Sequence, residues 1–342
     1  GTTREVGMDL VDRGSPRTVL VAGAVTSAAS LLGASFATQL WHVQLFFGVG
    51  TAVGTTMLGP LASSTVVANR VREQPGRAVG LANTGAPAGP LIAAPLSAWG
   101  IGAFGWRATF AAFAVVTLVA GVGLVVFGLA RRTPSSDGEA SAGHAAGAPA
   151  GMPWLRPPSF WGLVLGVGIV NALGIAVGAH LVGFGAARGA SVAAAAVLIS
   201  AMSGAAIAGN ATFGWASDRF APHRLFVAAA CLLALAFAGL LVPMPYAVVA
   251  LACVALGLCA GGMMPVYAAM ITRHFGLGSF GRVMGAGGLV TLPLTFATPL
   301  LAGVAFDRTG DYAAAIAGAI ALVAVAAALV GGLVGAQPEP AP

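Results

Sequence analysis

Lysine is absent from this chain, and only 8% of its 342 residues are charged. An ordinary soluble domain carries roughly one-quarter charged residues, so a surface that meets water all round is excluded. Cysteine is scarce too. Cys231, Cys253 and Cys259 all fall inside apolar runs, which reads as small buried side chains and excludes a disulfide framework. The chain has no paired catalytic carboxylates, no nucleophile with a base beside it, no phosphate-binding loop and no metal-ligand spacing. The expectation is therefore no enzyme, no cofactor and no metal. The net charge of +6 comes from arginines set in short gaps between apolar runs, not gathered on one soluble face, which argues against a nucleic-acid partner.

What is present is apolar length. Hydrophobic residues make up 58% of the chain, in ten runs at about 18–38, 41–67, 78–101, 108–130, 158–183, 191–216, 225–242, 245–271, 283–304 and 313–335. An apolar run of about 18 residues crosses a hydrocarbon layer as a helix, which satisfies its own backbone hydrogen bonds. If successive loops alternate sides, Arg4, Arg13, Arg17, Arg70, Arg72, Arg77, Arg131, Arg132, Arg156, Arg219, Arg224, Arg273 and Arg282 share one side. Only Arg107, Arg188 and Arg308 take the other, so the arginine-rich loops are expected to be cytoplasmic. The opening "GTTREVGMDLVDR" precedes a full-length span and does not read as a cleavable signal. The alanine-rich, lysine-free composition suits a GC-rich bacterial genome, hence the inner (cytoplasmic) membrane.

The chain repeats itself. "DRGSPRTVL" (Asp12 to Leu20) returns as "DRFAPHRLF" (Asp218 to Phe226), and "GRAVG" at Gly76 returns as "GRVMG" at Gly281. Pro95 pairs with Pro299, and Gly105 with Gly310, at nearly the same offset. Two parallel copies of one bundle are implied, an arrangement that puts a substrate site between halves in transporters. The stretch from Arg131 to Pro158, rich in small residues and proline, reads as a linker. The expected domains are an incomplete N-terminal bundle of four helices at 1–131, a cytoplasmic linker at 132–157, a six-helix bundle at 158–336 and a cytoplasmic tail at 337–342. Projecting the second copy back by the offset leaves roughly fifty residues, two helices, expected before Gly1.

On these motifs the chain resembles the major facilitator superfamily, an all-α integral membrane fold of two six-helix bundles. Ten of its expected twelve transmembrane helices are present. The family's loop signature, Gly-x-x-x-Asp-Arg with further basic residues, is met by "GWASDRFAPHR" (Gly214 to Arg224) and less fully by "MDLVDRGSPR", where Met8 stands at the glycine position. "DRGSPR", "GWR" (Gly105 to Arg107) and "FDRTGDY" (Phe306 to Tyr312) are similar to the monocarboxylate porter and oxalate:formate antiporter group.

The resemblance implies a conformational latch at Asp12, Arg13, Arg17, Asp218, Arg219 and Arg224, biasing outward-open against inward-open states. An aspartate beside a helix start is held by free N–H groups and the positive dipole end, and neighbouring arginines can pair with carboxylates or with helix C-termini. Small residues four apart, such as Gly50 with Gly54, Gly174 with Gly178 and Gly257 with Gly261, permit close helix approach. "GRAVGLANTGAPAGP" has the spacing of an antiporter motif and sets Pro90 inside a span, where a proline bends the helix.

No span carries an Asp, Glu, Lys or Arg in its interior. Proton-coupled carboxylate porters of the family usually place an arginine, and an aspartate one turn before it, on the eighth helix. Here those positions are Asn210 and Ala206, both neutral. The candidate cavity is therefore a neutral polar set by family analogy: Thr55, Thr56, Asn83, Asn171, Asn210, Tyr267, Thr291 and Thr295. His180, the one histidine well within a span, is a candidate proton-linked gate. Trp41, His42 and Trp106 fit the belt at the outer surface.

The sequence reading is thus a monomeric secondary active transporter in a lipid bilayer, moving a small organic solute by alternating access, an organic anion or carboxylate favoured by subgroup resemblance and proton coupling open. Drug or metabolite efflux by antiport and a non-transporting truncated remnant stand as alternatives.

Overall fold

A computed structural model describes residues 16–58, 80–81, 83–123, 155–241 and 245–335. Asp12, Arg13, the side chain of Arg17, almost all of the linker and the tail at 337–342 lie outside the described residues. No strand occurs among those described.

The helices are α1 (Pro16–Ser35), α2 (Leu40–Val43), α3 (Thr51–Met57), α4 (Gly85–Gly123), α5 (Pro158–Ala187), α6 (Val192–Arg219), α7 (Pro222–Leu241), α8 (Tyr246–Phe275), α9 (Phe280–Thr309) and α10 (Ala313–Leu329). A π-helical stretch, Gln44–Gly50, joins α2 to α3 in one rod, and another, Val330–Val334, extends α10. Among the described residues, seven helices are long and apolar enough to cross a membrane. One of these, α4, holds two of the ten apolar runs. They meet at Gly105, whose φ of 80° and ψ of 163° break the helical path.

That angle pair is open essentially to glycine alone. Gly310, its partner in the repeat, closes α9 at φ 77° and donates its N–H to the Phe306 carbonyl at 2.8 Å, a left-handed C-terminal cap. The repeated glycines thus share a conformational cause, both sitting at positive φ where a span must turn back. Pro90 and Pro95 lie within helical turns of α4, and Gly105 is the residue there with non-helical angles.

The chain forms two compact units, Gly1–Ser63 with Ser97–Ala146, and Ser64–Leu96 with Gly147–Pro342. In the first, α1 packs on α3 and the π-helical stretch before it through small residues: a Cβ on Gly54 would collide with Ser27, and one on Gly50 with Ser30. In the second, α5 to α10 surround a core that includes Phe160, Leu163, Phe226, Val266, Ile271 and Phe280. Lipid tails are as apolar as these side chains, so dispersion and close fit, not water exclusion, hold the bundle. Cys253 and Cys259 are buried as expected; Cys231 is instead exposed, because it sits on the outward face of α7.

Candidate functional site

The expected site residues fall into separate settings. In the first unit, Thr55 and Thr56 are exposed on α3 and turn their hydroxyls into their own helix, to the carbonyls of Thr51 (2.9 Å) and Ala52 (2.7 Å). In the second unit, Asn83 has a bonded partner. Asn210 is buried, at 4% exposure. Its amide nitrogen donates to the Ala206 carbonyl at 3.1 Å, while its Oδ1 has no partner among the described residues. Gly80 comes against the Asn210 backbone carbonyl, so this position is covered by a close backbone approach.

Asn171, Tyr267, Thr291 and Thr295 lie on α5, α8 and α9. Thr291 packs on Gly168, one turn before Asn171, and bonds the Gly287 carbonyl at 3.0 Å. Gly287 in turn faces the Tyr267 hydroxyl. Thr295 donates to the Thr291 carbonyl at 3.1 Å. The two threonine hydroxyls keep lone pairs for a ligand but spend their protons locally. Asn171 differs, for it is exposed and hydrogen-bonds to nothing among the described residues.

Two cavities adjoin this helix. The larger, about 190 Å³, is lined by Asn171, Gly174, Met202, Phe237, Leu256 and Met263, among others. The smaller, about 80 Å³, is lined by apolar residues with His180, Thr298 and Tyr312. Val177 and Phe237 line both and so form the wall between them.

His180 ties α5 to α9. Its Nε2 lies 2.9 Å from the Pro299 carbonyl, an acceptor only, so Nε2 carries the proton. Nδ1 then accepts from the Tyr312 hydroxyl at 3.3 Å. Gly183 and Gly303 make room, the first beside the Tyr312 hydroxyl and the second beside the His180 ring. Phe306 stacks on Tyr312 with ring centres 4.5 Å apart. Burial, and secondarily the Asp307 carboxylate, raises the Tyr312 hydroxyl above the usual tyrosine range. Tyr312 stood in the quoted "FDRTGDY", but nothing in that string indicated that it meets His180, which is 132 residues away.

Two of the three arginines expected on the sparsely charged side have structural employment. Arg107 bonds the Ala37 carbonyl just past α1 at 3.0 Å and lies over the Trp106 ring. Arg188 bonds the Leu240 carbonyl at the end of α7 at 2.6 Å and lies over Phe184. A cation there meets the negative end of a helix dipole. At the opposite end of the bundle, Arg219 covers Trp215 at 4.1 Å and Asp218 has a bonded partner. Arg224 stands in the first turn of α7, its N–H bonded to the Ala221 carbonyl at 3.0 Å. Arg273, absent from the expected latch, donates to the Ser217 carbonyl at 3.1 Å. His42 and Trp41 sit at the start of α2, beside Thr38 and Gln39.

The sequence profile of the Major Facilitator Superfamily matches residues 6–291. Monocarboxylate transporter 13 of Rattus norvegicus is 27% identical over 336 residues, which is 93% of this chain and 73% of that protein. Among solved structures, a bacterial homologue of the human lysosomal transporter Spinster, in an inward-facing and occupied conformation, aligns with a TM-score of 0.64. It is 17% identical over 97% of this chain and 85% of that one. The human organic anion transporter MFSD10 aligns with a TM-score of 0.62 at 17% identity, covering 92% of this chain and 77% of its own. At such identities the structural likeness speaks for the fold alone.

Proposed function

The chain belongs to the Major Facilitator Superfamily and is a secondary transporter, not an enzyme; from that premise we propose that it moves a small organic solute bearing a carboxyl or similar polar group by alternating access. The observation that carries the substrate class is the identity with monocarboxylate transporter 13 along almost the whole chain. The neutral polar groups Asn171, Tyr267, Thr291 and Thr295, with Thr55, Thr56, Asn83 and Asn210, are the proposed solute contacts. The halves at 1–131 and 158–336 are the proposed moving bodies, joined by the linker. Asp12, Arg13, Arg17, Asp218, Arg219 and Arg224 form the latch at a cytoplasmic face that the arginine bias assigns. Pro90 and its neighbours give the fifth family helix a bend. The protein acts as a monomer in the cytoplasmic membrane.

His180 is the proposed proton-linked gate, since gaining a proton turns Nδ1 from acceptor to donor and reverses its bond with Tyr312. Reconstituted proteoliposomes test the whole reading. Uptake of a labelled monocarboxylate, stimulated by an inward proton gradient, is expected. Transport of a lipophilic cation instead would move the protein to the efflux reading, and transport of neither would leave a non-transporting remnant.

A further inference from the structure

We infer that the cavity beside Asn171 binds its solute in uncharged form, as a single-ring-sized molecule whose carboxamide or protonated carboxyl pairs with the Asn171 amide. The inference rests on the transporter reading and goes further by fixing charge state, size and the recognising residue.

Three observations converge on it. Asn171, the fourteenth residue of the thirty in α5, is a mid-span polar side chain that has no hydrogen-bond partner among the described residues. Polar groups at that depth are costly to leave unpaired and mark ligand pathways. The amide offers one acceptor and two donors, so a planar group with an acceptor and a donor side by side, a primary amide or an un-ionised acid, pairs with it on two points.

The second observation is the absence of a counter-charge. Among the described residues, no Asp, Glu, Lys, Arg or His lines this cavity. The titratable groups of the helices around it point elsewhere. His180 lines the neighbouring cavity, Cys259 of α8 donates to the Ala229 carbonyl at 3.4 Å, Arg219 and Arg188 lie over Trp215 and Phe184, and Arg273 bonds Ser217. Cys231 is exposed and Cys253 buried outside the lining. A bare carboxylate would enter without a cation, whereas a neutral carboxyl or amide loses little on desolvation once paired.

The third is room. The volume of about 190 Å³ slightly exceeds the roughly 150 Å³ of an apolar protein cavity that holds benzene. A Cβ on Gly174, one turn after Asn171, would meet nothing within 4 Å, so the space beside the amide is open. Met202 and Met263 on the wall are unbranched and polarisable, which suits them to an aromatic face.

The test uses the full chain in lipid nanodiscs with benzamide and benzoic acid as probes, read by direct binding. Benzamide is expected to bind with the same affinity from about pH 5 to about pH 8, while apparent benzoic acid affinity falls about tenfold per pH unit above that acid's own pKa, following its neutral fraction. Asn171→Leu is expected to weaken both by about tenfold or more. Gly174→Leu, which enters open space, is expected to abolish both without lowering the melting temperature. Benzoate bound as tightly at high pH as at low, toluene bound as well as benzamide, or no benzamide binding would each overturn the inference. Binding that persists without uptake of any solute would keep the inference and sink the transporter reading. Uptake of another solute without benzamide binding does the reverse.

Discussion

Two seams of the six-helix bundle are built on opposite plans. Between α6 and α8, glycines set backbone against backbone: Gly257 faces the Met202 carbonyl, Gly261 the Ala206 carbonyl, and Gly209 the Leu258 carbonyl. Between α5 and α9, contact runs through side chains, with Thr291 on Gly168 and His180 on the Pro299 carbonyl. The buried residues of α9 end at Gly287, and two prolines, Pro293 and Pro299, lie beyond that point. Each removes a backbone donor, so the carbonyls of Leu289 and Thr295 lose their helical partners. One seam is backbone-tight, and the other is held through side chains beside two prolines, the kind of contact that the proposed alternating-access cycle would use at a gate.

The comparison breaks most sharply at Gly261. Gly261→Leu drives a side chain into the Ala206 carbonyl and should cost about 3 kcal/mol or more, seen as loss of a monodisperse peak and a lowered melting temperature. On the side-chain seam, a Cβ on Gly303 meets the His180 ring at 3.6 Å, an ordinary contact. Gly303→Ala should therefore stay within about 0.5 kcal/mol. Equal losses at the two sites would erase the distinction.

Pro299→Ala sharpens it next. Restoring one helical hydrogen bond on α9 should add about 1 kcal/mol of stability while slowing solute exchange, measured as melting temperature against uptake rate in the same preparation. A smaller effect is expected from His180→Gln, which keeps hydrogen bonding without titrating. Its uptake should lose the pH dependence expected of a proton-linked gate, and an unchanged profile would remove the gate.

Smallest is the alkaline limit set by Tyr312. Its raised hydroxyl means the neutral form is favoured in the fold. That stability is complete below the ordinary tyrosine value of about 10 and is lost as pH rises through the raised one. Tyr312→Phe should flatten the fall in melting temperature above about pH 10; a parallel fall in both proteins would mean that ionisation of Tyr312 does not limit stability there.

Helix class and the order of the apolar runs could be read from the sequence because each rests on local pattern. Each of the ten apolar runs is helical over most of its described residues, and the repeat placed Gly105 and Gly310 at matching turns. The glycine spacing was less informative. Gly50 with Gly54 and Gly257 with Gly261 are seams, yet a Cβ on Gly85, Gly89, Gly174 or Gly178 would meet nothing. The candidate polar set likewise named the right residue types without ranking them. Asn171 and Asn210 look alike in sequence, but one opens on a cavity and the other is walled in by Gly80.

The sequence by itself determined that this chain lives in lipid, folds as two repeated helical bundles and carries no charge in the interior of any span. Only the tertiary structure decided which faces meet: that His180 reaches a carbonyl on α9, that Arg188 caps α7, and that Asn171 opens on a cavity with no hydrogen-bond partner among the described residues. The reason is the solvent. A helix in water shows its buried face as an apolar stripe, whereas these helices are apolar all round, so their inward faces are chosen by packing against partners distant in the sequence.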